Sequence, residues 1–241
     1  YTVATEMYSA GIDRLTHQPL SFSVSETTEG VHIHIIDAEL MGKGEKEKKD
    51  LYIEGVQNNG IINHYEYIIN SEGTIEIRHV LKPEGKMPLW FPRIGLTLTV
   101  SDALDQVKWY GRGPQENYPD RKTGYPMGIY ASTVQAMYEP YLMPQDYGLR
   151  TDVRWLQLTT DKGIGLQFKM NEWFNFNIYP YSTDNLTKAM YTYQLQKQKG
   201  MTLNLDYATT GVGCTARGVF GAYKAMPQEY RRTISIRPMM K

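Results

Sequence analysis

The sequence predicts an all-β protein made of antiparallel strands with at most one or two short helices. Short segments alternate between apolar and polar residues, which is the pattern of half-buried strands. Turns rich in Gly and Asn separate them. Only Ser182–Met190 has the signals of a helix, a serine N-cap and an acidic first turn. The 241 residues suit one large all-β domain, so we expect a single domain over residues 1–241.

Two pairs of alternating segments flank turns, which predicts two hairpins in the first third of the chain. The first turn contains Glu29-Gly30, and the second is Asn70–Gly73, where glycine supplies a positive φ. Gly42–Asp50 has mixed charges and predicts a solvated loop. The hairpin strands are Ser21–Ser25 with Val31–Ile35, and Ile61–Ile69 with Thr74–Leu81.

The rest of the chain continues in strands, again marked by alternation and by β-branched or aromatic residues. Val107–Tyr110 enters a Gly-Pro turn, where proline ends strand pairing. The further strands are Arg93–Val100, Arg154–Thr160, Ile164–Met170, Phe174–Tyr179, Thr202–Tyr207 and Thr233–Arg237.

Composition excludes several classes of protein. The 26 basic residues equal the 26 acidic ones, so the net charge is zero and nucleic acid is not expected as the main partner. No apolar run reaches the ~20 residues of a membrane span. The single cysteine, Cys214, excludes an intrachain disulfide and is expected to be a small buried thiol. The chain begins at Tyr1, so we expect it to come from something larger, a soluble cytoplasmic or periplasmic protein.

The segment Trp109–Arg121 contains the densest group of charged residues, namely Arg112, Glu116, Asp120 and Arg121. One hypothesis makes Glu116 and Asp120 the carboxyl pair of a glycosidase. The other has the two arginines pair with the two acids and hold an ordered loop. We favour the second, because such ion pairs lower carboxyl pKa values and disable a general acid.

A second polar segment, Pro140–Trp155, has two comparable interpretations. Its polar side chains could bind sugar hydroxyls while its aromatic rings stack on the sugar. The same groups could instead pair with the backbone of a buried loop, which we favour because buried polar groups are normally paired. The residues concerned are Gln145, Asp146, Arg150, Asp152 and Arg154, with Tyr141, Tyr147 and Trp155 as the aromatic faces.

His32 and His34 are two residues apart and therefore share one face of a strand. A metal site needs at least a third ligand, and no sequence spacing supplies one. We therefore expect both histidines to face solvent and the chain to carry no metal site. The 19 tyrosines suit sugar binding and protein interfaces equally well.

The segment Trp109–Arg121 resembles the signature of the C-terminal small-chain domain of family 2 β-galactosidases. The resemblance extends from about Met7 to Pro238. Other segments fit it in order: Pro92–Gly95, Pro140-Tyr141, Pro144–Arg150, Asp152–Leu156, Tyr181-Ser182 with Leu186, Leu203–Asp206 and Gly211–Gly213. The family opening is missing, so the resemblance implies a domain that lacks its N-terminal segment.

The resemblance implies a galactose mutarotase-like β-supersandwich without catalytic residues of its own. In the family, the catalytic glutamates lie on a barrel domain, and magnesium and sodium are bound by other domains. The expected partners are therefore the barrel and sandwich domains of the parent enzyme, a β-galactoside or other glycan, and possible further copies in a homo-oligomer. The signature loop is expected to be structural, through Trp109, Arg112, Glu116, Asn117, Tyr118, Asp120 and Arg121.

The resemblance also locates a candidate substrate-binding segment. Relatives place a sugar-stacking tryptophan just before the Leu-Asn-x-Asp pattern, where this chain has Thr202. Tyr207 or Phe220 could supply the missing aromatic face. The candidate substrate-binding residues are Thr202, Asn204, Asp206, Tyr207 and Phe220. Two alternatives stay open, a stand-alone carbohydrate-binding module and an aldose 1-epimerase, which needs a histidine and a glutamate in one pocket.

Overall fold

The computed structural model describes residues 7, 10–41, 59–213 and 218–240, and within them the all-β antiparallel prediction is confirmed. The loop predicted at Gly42–Asp50 and the buried thiol predicted at Cys214 lie outside the described residues. The strands are β1 (Thr16–Thr27), β2 (Gly30–Leu40), β3 (Gly60–Ile69), β4 (Ile75–Glu84), β5 (Arg93–Val100), β6 (Gln106–Arg112), β7 (Met127–Thr133), β8 (Arg150–Thr159), β9 (Gly165–Tyr179), β10 (Met201–Thr209) and β11 (Tyr230–Met239).

The hydrogen-bonded strand order is β1-β2-β3-β4-β11-β9-β8-β6-β7, and β10 pairs with both β9 and β5. Both predicted hairpins form. Thr27 pairs with Gly30 at the first turn, and Gly73 has φ 75° at the second. The strand β11 comes last in the chain yet lies between β4 and β9.

Two strand predictions need correction. Ile164–Met170 and Phe174–Tyr179 are parts of one strand, β9, because the polar residues between them continue the extended backbone. Along one edge, the first part of β9 pairs with β11 and the last part with β10, while the other edge pairs with β8. The strand β7 was not predicted at all, since its pairing with β6 is long-range.

The predicted helix forms as α1 (Thr183–Lys188), with the Ser182 hydroxyl accepting a hydrogen bond from the backbone N–H of Asn185. Short 3₁₀ turns occur at 12–14, 135–137, 192–194 and 221–223. Among the described residues no helix is long and apolar enough to span a bilayer.

The main hydrophobic core collects side chains from most strands. Trp109, Leu156, Phe176 and Leu203 are at most 1% exposed and belong to it. Each removes a large apolar surface from water, worth about 1.5–3 kcal/mol per side chain. A smaller cluster of Tyr147, Tyr179 and Leu186 packs beside α1.

Candidate functional site

The candidate site is built on one face of β10. Side chains alternate along a strand, and here Leu203 and Leu205 enter the main core. Thr202, Asn204 and Asp206 therefore share the opposite face, and all three are at most 5% exposed. Polar groups this deeply buried need partners, which neighbouring strands supply.

The partners of Asn204 come from the strands on both sides of β10. Thr97 on β5 donates to Asn204 Oδ1 at 2.7 Å. The Asn204 side-chain amide donates to Asn177 Oδ1 at 2.8 Å and to the Tyr179 hydroxyl at 3.1 Å. Thr202 donates to the carbonyl of Tyr181 at 2.7 Å. These bonds hold the polar face rigidly in place.

Asp206 forms the charged end of this face with Arg93. Arg93 Nη2 lies 3.0 Å from Asp206 Oδ2 and 3.4 Å from Asp146 Oδ2. Burial raises the pKa of Asp206 to about 6; the nearby Arg93 opposes this shift, and Asp146 adds to it. Although burial acts against it, the carboxylates of Asp206 and Asp146 raise the pKa of Arg93, which therefore stays charged.

A surface cleft opens beside this charged group. It has a volume of about 230 Å³ and is lined by Pro144, Gln145, Asp146, Tyr179, Thr183, Leu186 and Thr187. Asp146 links the cleft to the buried face, because its Oδ1 accepts a hydrogen bond from Asn177 at 2.8 Å. Gln145 and Asp146 are exposed. The arrangement can bind hydroxyl groups at Asp146 and Gln145 while Arg93 keeps the carboxylate oriented.

The other two predicted binding residues do not join this face. Tyr207 points to the opposite side of β10, is 7% exposed, and bonds to His79 in the core. A register shift at Tyr207 interrupts the pairing with β5, which resumes at Ala208. Phe220 is 71% exposed and precedes the 3₁₀ turn at 221–223.

Arg93 and Asn177 are central to the site, and sequence reasoning did not select them as site residues. Arg93 lies in the segment Pro92–Gly95, which was noted only for its resemblance. Asn177 lies directly opposite Asn204 in the β9–β10 register. The signal that identifies both is strand pairing, which is not visible in the order of residues.

The carboxylates of the signature loop are fully engaged in hydrogen bonds. Glu116 is 7% exposed. It accepts hydrogen bonds from Arg121 Nη2, the Gly148 N–H, the Tyr118 hydroxyl and the Tyr141 hydroxyl. Asp120 accepts from the backbone N–H groups of Val212 and Gly213 at 3.0 and 2.7 Å.

The predicted ion pairs of this loop are therefore half right. Arg121 pairs with Glu116 at 3.0 Å. Arg112 does not pair with Asp120, because its Nε binds Asp152 Oδ2 of the second polar segment at 2.6 Å. Hydrogen bonds from Lys122 and Arg112 hold the pKa of Asp152 below its usual range, although burial acts to raise it.

The remaining loop residues anchor it to the core. Asn117 is 0% exposed, and its Oδ1 accepts the backbone N–H of Thr151 at 3.1 Å. The Trp109 indole donates to the carbonyl of Arg112 at 3.0 Å. Arg121 lies over the Tyr118 ring.

The second polar segment also divides between the two interpretations. Asp146 joins the candidate site, whereas Arg150 is 3% exposed and lies 5.4 Å from the Trp109 ring centre. Arg154 stacks on Trp173 at 3.3 Å. Tyr147 is buried against Tyr138 and Tyr179, and Trp155 lies near Tyr110.

The histidine pair departs from the prediction in one respect. His34 is exposed as expected, but the His32 side chain is only 13% exposed, because it lies beside Glu66 and stacks with the His34 ring. Among the described residues, no histidine lines the cleft at Asp146, the cleft beside Tyr138 and Tyr181, or the cleft beside Pro83 and Glu229.

Comparison with known proteins identifies one family and several relatives. Residues 7–236 match the family described as "Beta galactosidase small chain". A beta-galactosidase of Priestia megaterium is 38% identical over 147 residues, which are 61% of this chain and 14% of that protein. One of Vibrio cholerae is 31% identical over 207 residues, 86% of this chain and 18% of that protein.

The chain thus spans less than a fifth of the length of these two relatives. A solved GalM/aldose epimerase homologue from C. elegans gives a TM-score of 0.44 at 11% identity, covering 91% of this chain and 69% of that one. Because the family match extends over residues 7–236, the chain belongs to the β-galactosidase small-chain family.

Proposed function

We propose that this chain is the non-catalytic C-terminal domain of an enzyme that hydrolyses terminal β-galactosides. It helps to complete the substrate pocket and contacts the barrel and sandwich domains of the same polypeptide. The observation that carries the proposal is the buried polar face of β10, which Arg93 and Asn177 connect to the exposed Asp146. Membership of the small-chain family supports the assignment to a larger hydrolase.

The environments of Glu116 and Asp206 support a non-catalytic role. A general acid must deliver a proton to the glycosidic oxygen and therefore needs access to it. Glu116 is enclosed by four donors. Asp206 has a raised pKa, but it is 1% exposed and faces Arg93, so a sugar cannot reach it.

Asp146 and Gln145 are the side chains we assign to the substrate. They line the cleft beside α1 and are exposed, while Asn177 and Arg93 fix the carboxylate of Asp146. Sugars are recognised by fixed polar groups of this kind, because their hydroxyls both donate and accept. Thr202, at the position of the family tryptophan, is occupied by its bond to the Tyr181 carbonyl and is not assigned to sugar contact.

The first experiment measures hydrolysis of an aryl β-galactoside by the chain alone. We expect no turnover. Turnover that is abolished by Glu116→Gln would show that the domain itself is catalytic and would overturn the proposal.

The second experiment uses the complete polypeptide that carries this domain. Gln145→Ala and Asp146→Ala should lower kcat/KM about tenfold, chiefly through KM, because each removes a sugar contact worth about 1.4 kcal/mol. Asp161→Ala is the matched control, since Asp161 is an exposed acid in a turn outside the cleft. If all three variants keep wild-type kcat/KM, the cleft is not part of the pocket.

A further inference from the structure

Two histidines of β2 and one glutamate of β3 meet on one face of the sheet. The register places Glu66 directly opposite His34, and His32 is the next residue of β2 on the same face. One ligand atom of each of the three side chains lies within 4.8 Å of the others. Glu66 is the third group that the sequence could not supply, because strand pairing alone brings it to the histidines.

The separation between the ligand atoms of His32 and Glu66 suits a bound metal ion. His32 Nδ1 lies 3.6 Å from Glu66 Oε1, which is longer than a hydrogen bond. Ligands held at about 2.0–2.1 Å in a tetrahedral site lie about 3.4 Å apart, close to this separation. His34 is exposed, so its ring can turn toward the same point without disturbing the core.

One ring nitrogen of His32 lacks a hydrogen-bond partner and lies on the side away from Glu66. His32 Nε2 is buried without a hydrogen-bond partner, and the carboxylate of Glu29 lies 4.0 Å from it. Metal-bound histidines commonly donate their second ring N–H to a carboxylate, the role that Glu29 can take. Arg78 donates to Glu66 Oε2 at 3.1 Å and leaves Oε1 facing His32.

The surrounding charge favours a cation. Glu29 and Glu66 flank the histidines, and Glu76 neutralises Arg78 through a 2.8 Å ion pair. The carboxylates outnumber the single guanidinium, so the histidines lie in a negative environment. Coulomb attraction to the carboxylates would stabilise a divalent cation bound there.

We propose that His32, His34 and Glu66 bind a divalent transition-metal ion, with Zn²⁺ as the best match. Imidazole with one carboxylate suits zinc and its neighbours, whereas magnesium and calcium prefer oxygen ligands alone. Three protein ligands leave one coordination position for water. The bound ion links β2 to β3 on the face opposite the main core.

The test is calorimetric titration of the tag-free chain with ZnCl₂. We expect one site, and we expect His34→Ala and Glu66→Gln each to weaken binding by tenfold or more. His17→Ala is the matched control, because it removes an exposed histidine of the adjacent strand β1 that pairs with Asp37 instead. Equal affinity in the wild type and in both cluster variants would overturn the proposal, as would equal loss in the control.

A second measurement on the unmodified chain avoids any effect of substitution on folding. Imidazole NMR signals are followed during addition of one equivalent of ZnCl₂. The signals of His32 and His34 should shift, and those of His17, His64 and His79 should stay in place. Shifts confined to the latter three would refute the assignment.

Discussion

Acid should destabilise the protein through one buried histidine, His79, which is 1% exposed. Its Nε2 lies 3.0 Å from Asn63 Oδ1 and its Nδ1 lies 2.7 Å from the Tyr207 hydroxyl. Asn63 donates through its side-chain amide to Asp37, so its oxygen accepts from His79 and Tyr207 donates to Nδ1. The neutral imidazole satisfies both bonds. Burial lowers the pKa of His79 from 6.5 to about 4, with a smaller contribution from His64.

The sign and size of the effect follow from this shift. The pKa is lower in the folded than in the unfolded state, so the folded protein binds the proton less readily. The stabilising contribution is complete above the unfolded value of 6.5 and is lost as pH falls toward about 4. Each pH unit in that window costs about 1.4 kcal/mol, which amounts to about 2 kcal/mol at about pH 5.

The assay compares urea unfolding of the wild type and His79→Gln across this pH range, followed by tryptophan fluorescence. A difference is needed because Asp206, whose pKa is raised, has the opposite pH dependence. The variant is expected to be less stable at neutral pH, and the gap should narrow by about 2 kcal/mol on acidification to about pH 5. A stability gap between wild type and His79→Gln that stays constant from neutral pH to about pH 5 would refute the reasoning.

Three other substitutions test the site and its supporting loop. Asn117→Ala leaves the Thr151 N–H without its partner and should cost about 1–3 kcal/mol in urea unfolding. Gly211→Ala should be destabilising by about 1–3 kcal/mol, because a Cβ at this glycine would lie 2.3 Å from the Asp120 carboxyl carbon and displace a group held by two backbone N–H donors. Asp206→Asn removes a carboxyl whose pKa is raised from 3.8 to about 6 in the folded state. The wild type gains stability as pH falls from about 6 to 3.8, because the folded state binds the proton more readily. The variant lacks this gain and should lose about 1.4 kcal/mol per pH unit relative to the wild type. A pH-independent difference for Asp206→Asn, or wild-type stability for the other two, would contradict these expectations.

Local pattern was sufficient to predict most of the fold. Alternation and turn residues predicted both hairpins, and the N-cap of Ser182 predicted α1. The errors arose where the pairing partners of a strand decide where that strand begins and ends. Asn171–Trp173 is polar enough to suggest a turn, yet β9 continues through it, because β11 pairs with the strand before this point and β10 after it.

The candidate site was predicted only in part, for a related reason. The resemblance selected Thr202, Asn204 and Asp206, and the structure places them on one face of β10 because they are two residues apart on a strand. Tyr207 was selected with them but is one residue further on, so it lies on the other face. Strand pairing brings Arg93, Asn177 and Glu66 to partners that are distant in sequence. No local pattern therefore reveals them.

The position of β11 has a consequence for how the protein is made. The β1–β4 meander is connected to the remaining strands through β11, which comes last in the described chain. During synthesis, β4 and the first part of β9 each have an unpaired edge until residues 230–239 leave the ribosome. Exposed edges of this kind invite pairing with other chains. Removal of residues 230–239 should therefore yield aggregates rather than a smaller folded unit.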